Sequence, residues 1–91
     1  MKVTIHLPSA LRRFANNLDA VEVEADLAGA ALEEMVKRFP DLRIRLFNDR
    51  GALHPYFALF LGEGLLPLDT WEQSPLAEGD TLRILPIVGG G

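Results

Sequence analysis

The sequence predicts a small α+β domain in which a mixed sheet of four to five strands packs on one main helix. Three observations lead to this class: two strand-like segments near the N-terminus, one long amphipathic helix after them, and further strand-like segments in the second half. A single helix covers only one face of a small sheet, which is typical of the α+β class. The length of 91 residues allows one hydrophobic core and therefore one domain.

Two alternating segments open the chain and predict a pair of antiparallel strands. Val3, Ile5 and Leu7 alternate with polar residues, as expected for a strand with one buried face. The same alternation returns in residues 21–25, where glutamates occupy the exposed positions. Residues 11–17, a short basic segment followed by a turn-like pair of asparagines, predict the connection between the two strands.

Apolar residues then recur every three or four positions, which predicts an amphipathic helix from Leu27 to Phe39. We expect Asp26 to cap its first turn, because a carboxylate accepts hydrogen bonds from free backbone N–H groups. Pro40 ends the helix, since proline lacks the N–H that a further turn needs. Gly29 weakens the helix by roughly 1 kcal/mol relative to alanine, so we expect it at a close packing contact.

The second half of the chain predicts three more strands and one irregular segment. Residues 41–53 predict an irregular or weakly helical connection. The apolar run 56–61 predicts a strand, and residues 65–68 predict a short edge strand, where a proline is tolerated. Residues 81–85 predict the final strand, which Pro86 ends because it has no N–H for the ladder.

Composition excludes several classes of function. Hydrophobic residues make up 48% and charged residues 24% of the chain, which is typical of a globular domain. The formal net charge is -4, and a phosphate backbone requires clustered cations, so we expect no nucleic-acid partner. Cysteine is absent and there are 2 histidines, so we expect no thiol nucleophile and no metal site.

We also expect no membrane partner and a cytoplasmic location. The longest apolar run, residues 56–61, is far shorter than the roughly 20 residues that a membrane-spanning helix needs. The first residues alternate between apolar and polar types and do not form the apolar centre of a signal peptide.

A Leu-x-x-Gly-Asp turn at residues 76–80, a Leu-x-Ile-x-Pro strand at residues 82–86 and terminal glycines follow one another at the C-terminal end. This stretch resembles the closing strand and tail of the β-grasp, ubiquitin-like sulfur carriers. That family includes the small subunit of molybdopterin synthase and the carriers of thiamin and cysteine biosynthesis. The predicted element order resembles the same β-grasp fold over essentially the whole chain, and residues 53–62 resemble the cysteine-biosynthesis branch more than the thiamin branch.

The resemblance implies a β-grasp domain of residues 1–86 followed by a flexible, glycine-rich tail of residues 87–91. Many family members end in two glycines, whereas this chain has three, Gly89, Gly90 and Gly91. The family chemistry would act on the carboxyl group of Gly91, which becomes an adenylate and then a thiocarboxylate. The glycines lack a Cβ, so the tail fits a narrow channel in a partner's active site.

The resemblance further implies that the protein is a co-substrate and not an enzyme, with no cofactor bound to it. A ubiquitin-activating-type enzyme would use ATP to form the adenylate. The sulfur acceptor would be a synthase, either the large subunit of molybdopterin synthase or a cysteine synthase. The second route also needs a metalloprotease to release the added residue, and a natural chain that continued past Gly91 would need a processing protease. Two other readings stay open, namely a ubiquitin-like modifier conjugated to lysines and a β-grasp binding module with an inert tail.

Strand parity predicts a docking surface beside this tail. If the inward positions face the helix, then His6, Phe60 and Leu85 point outward on three neighbouring strands of the resembled fold. They would form one exposed apolar patch that continues into Pro86 and Ile87 at the start of the tail. Exposed apolar patches near a functional end often mark partner sites.

Overall fold

The structure is a computed structural model that describes residues 1–87. Five strands form one sheet: β1 (Lys2–His6), β2 (Ala20–Glu24), β3 (Phe57–Leu61), β4 (Gly64–Leu65) and β5 (Thr81–Pro86). The helices are α1 (Ser9–Arg12), α2 (Ala28–Arg38) and α3 (Asp41–Leu46), and short 3-10 helices span Arg13–Ala15 and Trp71–Gln73. The strand order is β2-β1-β5-β3-β4. The predicted mixed sheet with one main helix is therefore confirmed.

One parallel pair gives the sheet its mixed character. β1 runs parallel to β5 with Ile5 opposite Leu82, whereas the other neighbouring strands are antiparallel. Both of these side chains are fully buried. Parallel neighbours need a crossover connection, and here the chain between the two strands supplies it, helices included. As a result the last strand lies in the centre of the sheet, between β1 and β3.

The core lies between one face of the sheet and the helices. Alternate residues of the strands are buried on this face, as the period-2 pattern predicted. The largest fully buried side chains come from β1, α2, α3, β3 and β5: Val3, Ile5, Leu32, Met35, Val36, Leu42, Leu46, Leu59, Leu82 and Ile84. Within residues 1–87 no polar or charged residue is buried, so this core depends on apolar packing alone.

The start of α2 differs from the expectation for Asp26, whose side chain does not cap the helix. The N-cap position falls at Leu27, and no side chain bonds to it. A bridge to Pro75 holds Leu27 against the loop before β5, and the Ala28 N–H donates to the Ser74 carbonyl at 2.9 Å. A loop carbonyl thus satisfies the helix N–H that a carboxylate was expected to satisfy.

Two segments are more helical than the sequence pattern indicated. Residues 9–12, which the basic segment partly covers, form α1, and residues 41–46 of the expected irregular connection form α3. Leu42 and Leu46 are four positions apart and both are buried, whereas Ile44 between them is 78% exposed. This is helical spacing, since positions four apart share one helix face.

The strand boundaries shift slightly. β3 begins at Phe57, one residue later than expected, and β4 has only the residues Gly64–Leu65 at the sheet edge. Pro67 lies outside β4, and its carbonyl accepts a hydrogen bond from the Trp71 N–H. Trp71 is 4% exposed and stacks on Phe47, so it anchors this loop to the core.

Gly29 lies at a close contact, as its cost to the helix predicted. A Cβ built at Gly29 would come within 3.0 Å of both the Cβ and the carbonyl oxygen of Glu72. Backbone atoms of a 3-10 helix do not move as easily as a flexible side chain, so a methyl group at this position fits only if the 3-10 helix shifts slightly away from α2. The glycine lets α2 approach the 3-10 helix Trp71–Gln73.

We therefore expect Gly29→Ala to destabilise the domain by about 1–2 kcal/mol, because the overpacking exceeds the gain in helix propensity. Urea denaturation followed by circular dichroism measures this change. The matched control is Ala30→Gly on the exposed side of the same turn, which should cost about 1 kcal/mol through propensity alone. A stabilised Gly29→Ala variant would show that the contact with Glu72 is not tight.

Candidate functional site

The Gly-Asp turn before β5 fixes where the last strand begins. Gly79 has a φ of 84°, a left-handed conformation that glycine adopts without a steric penalty. The Asp80 carboxylate Oδ2 accepts a hydrogen bond from the Ala77 N–H at 2.8 Å. The Gly79 N–H donates to the Lys2 carbonyl, and the Thr4 N–H donates to the Asp80 carbonyl. The turn is thus joined to β1, which sets the register of the parallel pair.

The other end of β5 forms the root of the tail. Pro86 pairs with Phe57, and the Ile87 N–H donates to the Tyr56 carbonyl at 2.7 Å. The expectation that Pro86 ends the ladder is therefore wrong. Pro86 and Phe57 form the non-hydrogen-bonded kind of antiparallel pair, in which neither residue donates its N–H to the other. Proline, which has no N–H, therefore fits this position without the loss of a hydrogen bond to β3. The pairing of β1 with β5 stops at Arg83, so a residue at position 86 has no hydrogen bond to donate to β1 either.

The predicted reactive residues Gly89, Gly90 and Gly91 lie outside the described residues. Their role, and the division into a domain of residues 1–86 and a tail of residues 87–91, stay predictions. Ile87 is the last described residue, and it is 50% exposed. The structure therefore defines the place and the strand from which the tail leaves the domain.

The predicted docking residues lie on the sheet face opposite the helices. His6 on β1 is exposed, Phe60 on β3 is half-buried, and Leu85 on β5 is 38% exposed. The following Pro86 and Ile87 are also exposed. The outward parity of His6, Phe60 and Leu85 agrees with the sequence prediction, whereas Pro86 has the parity of the buried Leu82 and Ile84. The part of all five residues in partner binding stays a prediction.

Arg83 separates two of these predicted residues. It is the register partner of both His6 and Phe60, so it stands between them in one row across the sheet. Its guanidinium Cζ lies 5.8 Å from the centroid of the Phe60 ring, and its Nη2 donates to the Gly62 carbonyl at 3.1 Å. The outer face therefore has a cation among the apolar side chains near the tail root and polar or charged side chains such as Thr4 and Glu22 further away, so it is not a continuous apolar patch.

An open groove of about 300 Å³ lies beside this row, at the β4 edge. Phe60, Ile87 and the outward-facing Ala58 line it together with residues that sequence parity did not select, namely Phe57, Leu65, Leu66, Pro67 and Leu68. Leu65 is 63% exposed and Leu68 is 59% exposed. A hint lay in the sequence, because four consecutive apolar residues on a short edge segment are unusual unless something covers them.

Other kinds of site find no support in the part of the chain that the structure describes. Among residues 1–87, no group of three or more His, Asp or Glu side chains is placed to hold a metal ion. In the same residues, no helix has the length and apolar character needed to cross a lipid bilayer. Three ion pairs are present there, and all join exposed or partly exposed groups.

A five-stranded mixed sheet with a central C-terminal strand and one main helix on one face defines the β-grasp, ubiquitin-like fold. The chain belongs to the ThiS family, whose model matches residues 5–91. It is a sulfur carrier protein, and a carrier of this kind is a co-substrate and not an enzyme. The family and fold that the C-terminal motif implied are thereby confirmed.

Individual relatives agree with this family. The sulfur carrier protein CysO of Mycobacterium tuberculosis is 26% identical over 93 residues, which cover 100% of both chains. SAMP1 of Haloferax volcanii matches with a TM-score of 0.83 and 28% identity over 100% of both chains. CysO in the BexX/CysO complex of Amycolatopsis orientalis matches with a TM-score of 0.85 and 25% identity over 98% of this chain and 99% of that chain.

The turn before β5 leads to a test of the motif itself. We expect Asp80→Ala to destabilise the domain by about 1 kcal/mol, because the Ala77 N–H loses its acceptor. Asp80→Asn keeps an acceptor oxygen at the same place and should lose less than half of that amount. Thermal unfolding of the two variants compares them. Equal losses would show that the carboxylate charge, and not the hydrogen bond, stabilises the turn.

Proposed function

We propose that the protein carries sulfur as a thiocarboxylate on the carboxyl group of Gly91, after adenylation of that group by a ubiquitin-activating-type enzyme. The observation that supports this most is the position of β5, a central strand that leads from the Gly-Asp turn straight to the tail. The hydrogen bond from Ile87 to Tyr56 fixes the root of the tail to the sheet. The domain thus holds Ile87, the residue after which the glycine-rich segment follows in the sequence, at a defined place.

The chemistry follows from the weak electrophilicity of a carboxylate. A carboxylate oxygen attacks the α-phosphorus of ATP, which gives a C-terminal acyl-adenylate and releases pyrophosphate. Hydrosulfide then attacks the acyl carbon and displaces AMP, with loss of a proton, leaving the thiocarboxylate. A persulfide donor would form an acyl disulfide, which a thiol reductant then cleaves to the same product. Because adenylation uses ATP, the proposal sets this chemistry in the cytoplasm.

The carrier supplies none of the acid, base or metal groups for these steps, and the partner enzymes supply them. Its own contribution is reach and shape. A fully extended chain from Pro86 to Gly91 would reach about 15–20 Å, at roughly 3.3–3.6 Å per residue. Three consecutive glycines present backbone without Cβ atoms, so the chain passes through a channel too narrow for other residues.

The proposed acceptor of the sulfur is a synthase. The complex of BexX with CysO supports a synthase-type partner. A chain from the complex of subunits 1 and 2 of the Helicobacter pylori molybdopterin-converting factor has the same fold, with a TM-score of 0.61. Two acceptors follow from the family resemblance: the large subunit of molybdopterin synthase, or a cysteine synthase that works with a metalloprotease. The likeness of residues 53–62 to the cysteine-biosynthesis branch favours the second.

Reconstitution tests the proposal. We expect incubation with ATP, Mg²⁺, sodium hydrosulfide and the activating enzyme of the same organism to raise the intact mass by the difference between sulfur and oxygen. Release of pyrophosphate reports the adenylation step separately. The matched control lacks Gly90 and Gly91 but keeps the whole described domain, and it should gain no mass. Absence of both pyrophosphate and mass gain with the intact chain would contradict the proposal.

A second candidate function is conjugation to lysines as a ubiquitin-like modifier. The match to SAMP1, a small archaeal modifier protein, over the whole of both chains favours it. The same adenylate serves both reactions, with a lysine amine replacing hydrosulfide as the nucleophile. In a lysate supplied with ATP, conjugation would produce higher-mass species of the tagged protein that survive reductant and depend on Gly91. If no such species form under conditions that yield the thiocarboxylate, the carrier function alone remains.

A further inference from the structure

We propose that Arg83 is the residue by which the outer sheet face selects the activating enzyme, through a carboxylate that the enzyme places opposite this guanidinium. The inference rests on the proposed function and adds the chemistry of the docking partner. It concerns a residue that lies within the sheet, before the tail begins. The partner surface it describes is apolar with an acidic group at its centre.

The first ground is the position of Arg83. It stands in a row across the sheet between His6 and Phe60, on the middle strand, with Leu85 two residues further toward the tail. A protein that encloses the tail must come close to the tail root, and this face lies directly beside it. Any partner that covers Phe60 and Leu85 therefore covers Arg83 too.

The second ground is the state of its charge. A guanidinium carries five N–H donors, and here one nitrogen donates to the Gly62 carbonyl while the plane lies near the Phe60 ring. None of the ion pairs among residues 1–87 includes Arg83. In the free domain water satisfies the remaining donors, because Arg83 is only half-buried.

The third ground is the cost of covering this group. An apolar partner would remove water from the remaining donors without replacing it, and burial of an unpaired charge opposes binding strongly. A partner with a carboxylate at this point replaces the water by charge-assisted hydrogen bonds. The same cation thus admits an acidic partner and rejects a purely apolar or basic one, which is a specificity device.

Arginine suits this place better than lysine for a physical reason. Its planar group can donate one hydrogen bond to a backbone carbonyl and still offer a fork of donors to one carboxylate. The hydrogen bond to the Gly62 carbonyl holds the guanidinium near this position before the partner arrives, so less side-chain freedom is lost on binding. Phe60, whose ring centroid lies 5.8 Å from the guanidinium Cζ, is a neighbour of Arg83 as well as part of the apolar surface.

The experiment measures pyrophosphate exchange with the activating enzyme of the same organism, using the full chain as the varied substrate. We expect Arg83→Glu to raise the KM for the carrier about tenfold or more and to leave kcat within a factor of two, because binding is lost and not chemistry. The KM of Arg83→Lys should lie between those of the native chain and Arg83→Glu, because lysine keeps the positive charge but lacks the forked pair of N–H donors. The KM of the native chain should rise with salt more steeply than that of Arg83→Gln.

Arg45→Glu is the matched control. Arg45 on α3 is exposed, its Cζ also lies over an aromatic ring, 4.4 Å from the centroid of Phe14, and the substitution changes the net charge by the same amount. Its KM should stay within a factor of two of the native value. Thermal melting of each variant confirms that the domain is folded under the assay conditions.

The outcomes separate the two claims. If the native chain supports exchange and Arg83→Glu has the native KM, then the inference about Arg83 is wrong and the proposed function stands. If Arg83→Glu and Arg45→Glu raise KM equally, then general charge attraction, and not a specific pair at Arg83, explains the effect, and the inference is again wrong. If the native chain supports no exchange, the proposed function fails and takes the inference with it.

Discussion

The parallel pairing of β1 with β5 is the constraint on which the rest of the structure depends. It places the last strand in the centre of the sheet, where Ile5 and Leu82 lie opposite each other and are both fully buried. Because β5 has a neighbour on each side, both of its ends are fixed. The Gly-Asp turn is joined to β1 at one end, and the tail root is joined to Tyr56 at the other.

This arrangement separates stability from function. The helix side of the sheet consists of apolar side chains that pack without buried polar groups among residues 1–87, so stability needs no group that the chemistry uses. The opposite side has only half-buried and exposed residues, among them Phe60, Arg83 and Leu85. A domain of this size buries a limited area, and its single core leaves one whole sheet face for partners.

Most of the fold was predictable from the sequence because strands with one buried face and a helix with one apolar stripe have distinct periods. The class was predictable in this way, whereas the neighbouring positions of the first, last and middle strands followed from the family resemblance and the contact at Gly29 followed from the cost of a glycine in a helix. The helix α3 was not, since Leu42, Ile44 and Leu46 fit both periods and only tertiary burial of two of them decides. The capping role of Asp26 failed because a loop carbonyl from residue 74, distant in sequence, satisfies the same N–H.

The candidate site was predictable in part for a similar reason. Parity alone places His6, Phe60, Arg83 and Leu85 on the outer face, but it does not say which of them are neighbours across the sheet. The register of three strands puts Arg83 between His6 and Phe60, and this register depends on a turn whose hydrogen bonds join it to β1. The walls of the groove at residues 65–68 also depend on tertiary placement, because β4 pairs for only two residues.

The central claim is that the one reactive group of this protein is its C-terminal carboxyl. Fragmentation of the intact protein, purified from its own organism under sulfur-rich growth, tests it most directly. The account predicts that the additional sulfur mass appears only on fragments that contain Gly91. Additional sulfur mass on any fragment that lacks Gly91, or its absence from the protein during active sulfur transfer in the cell, would contradict the account.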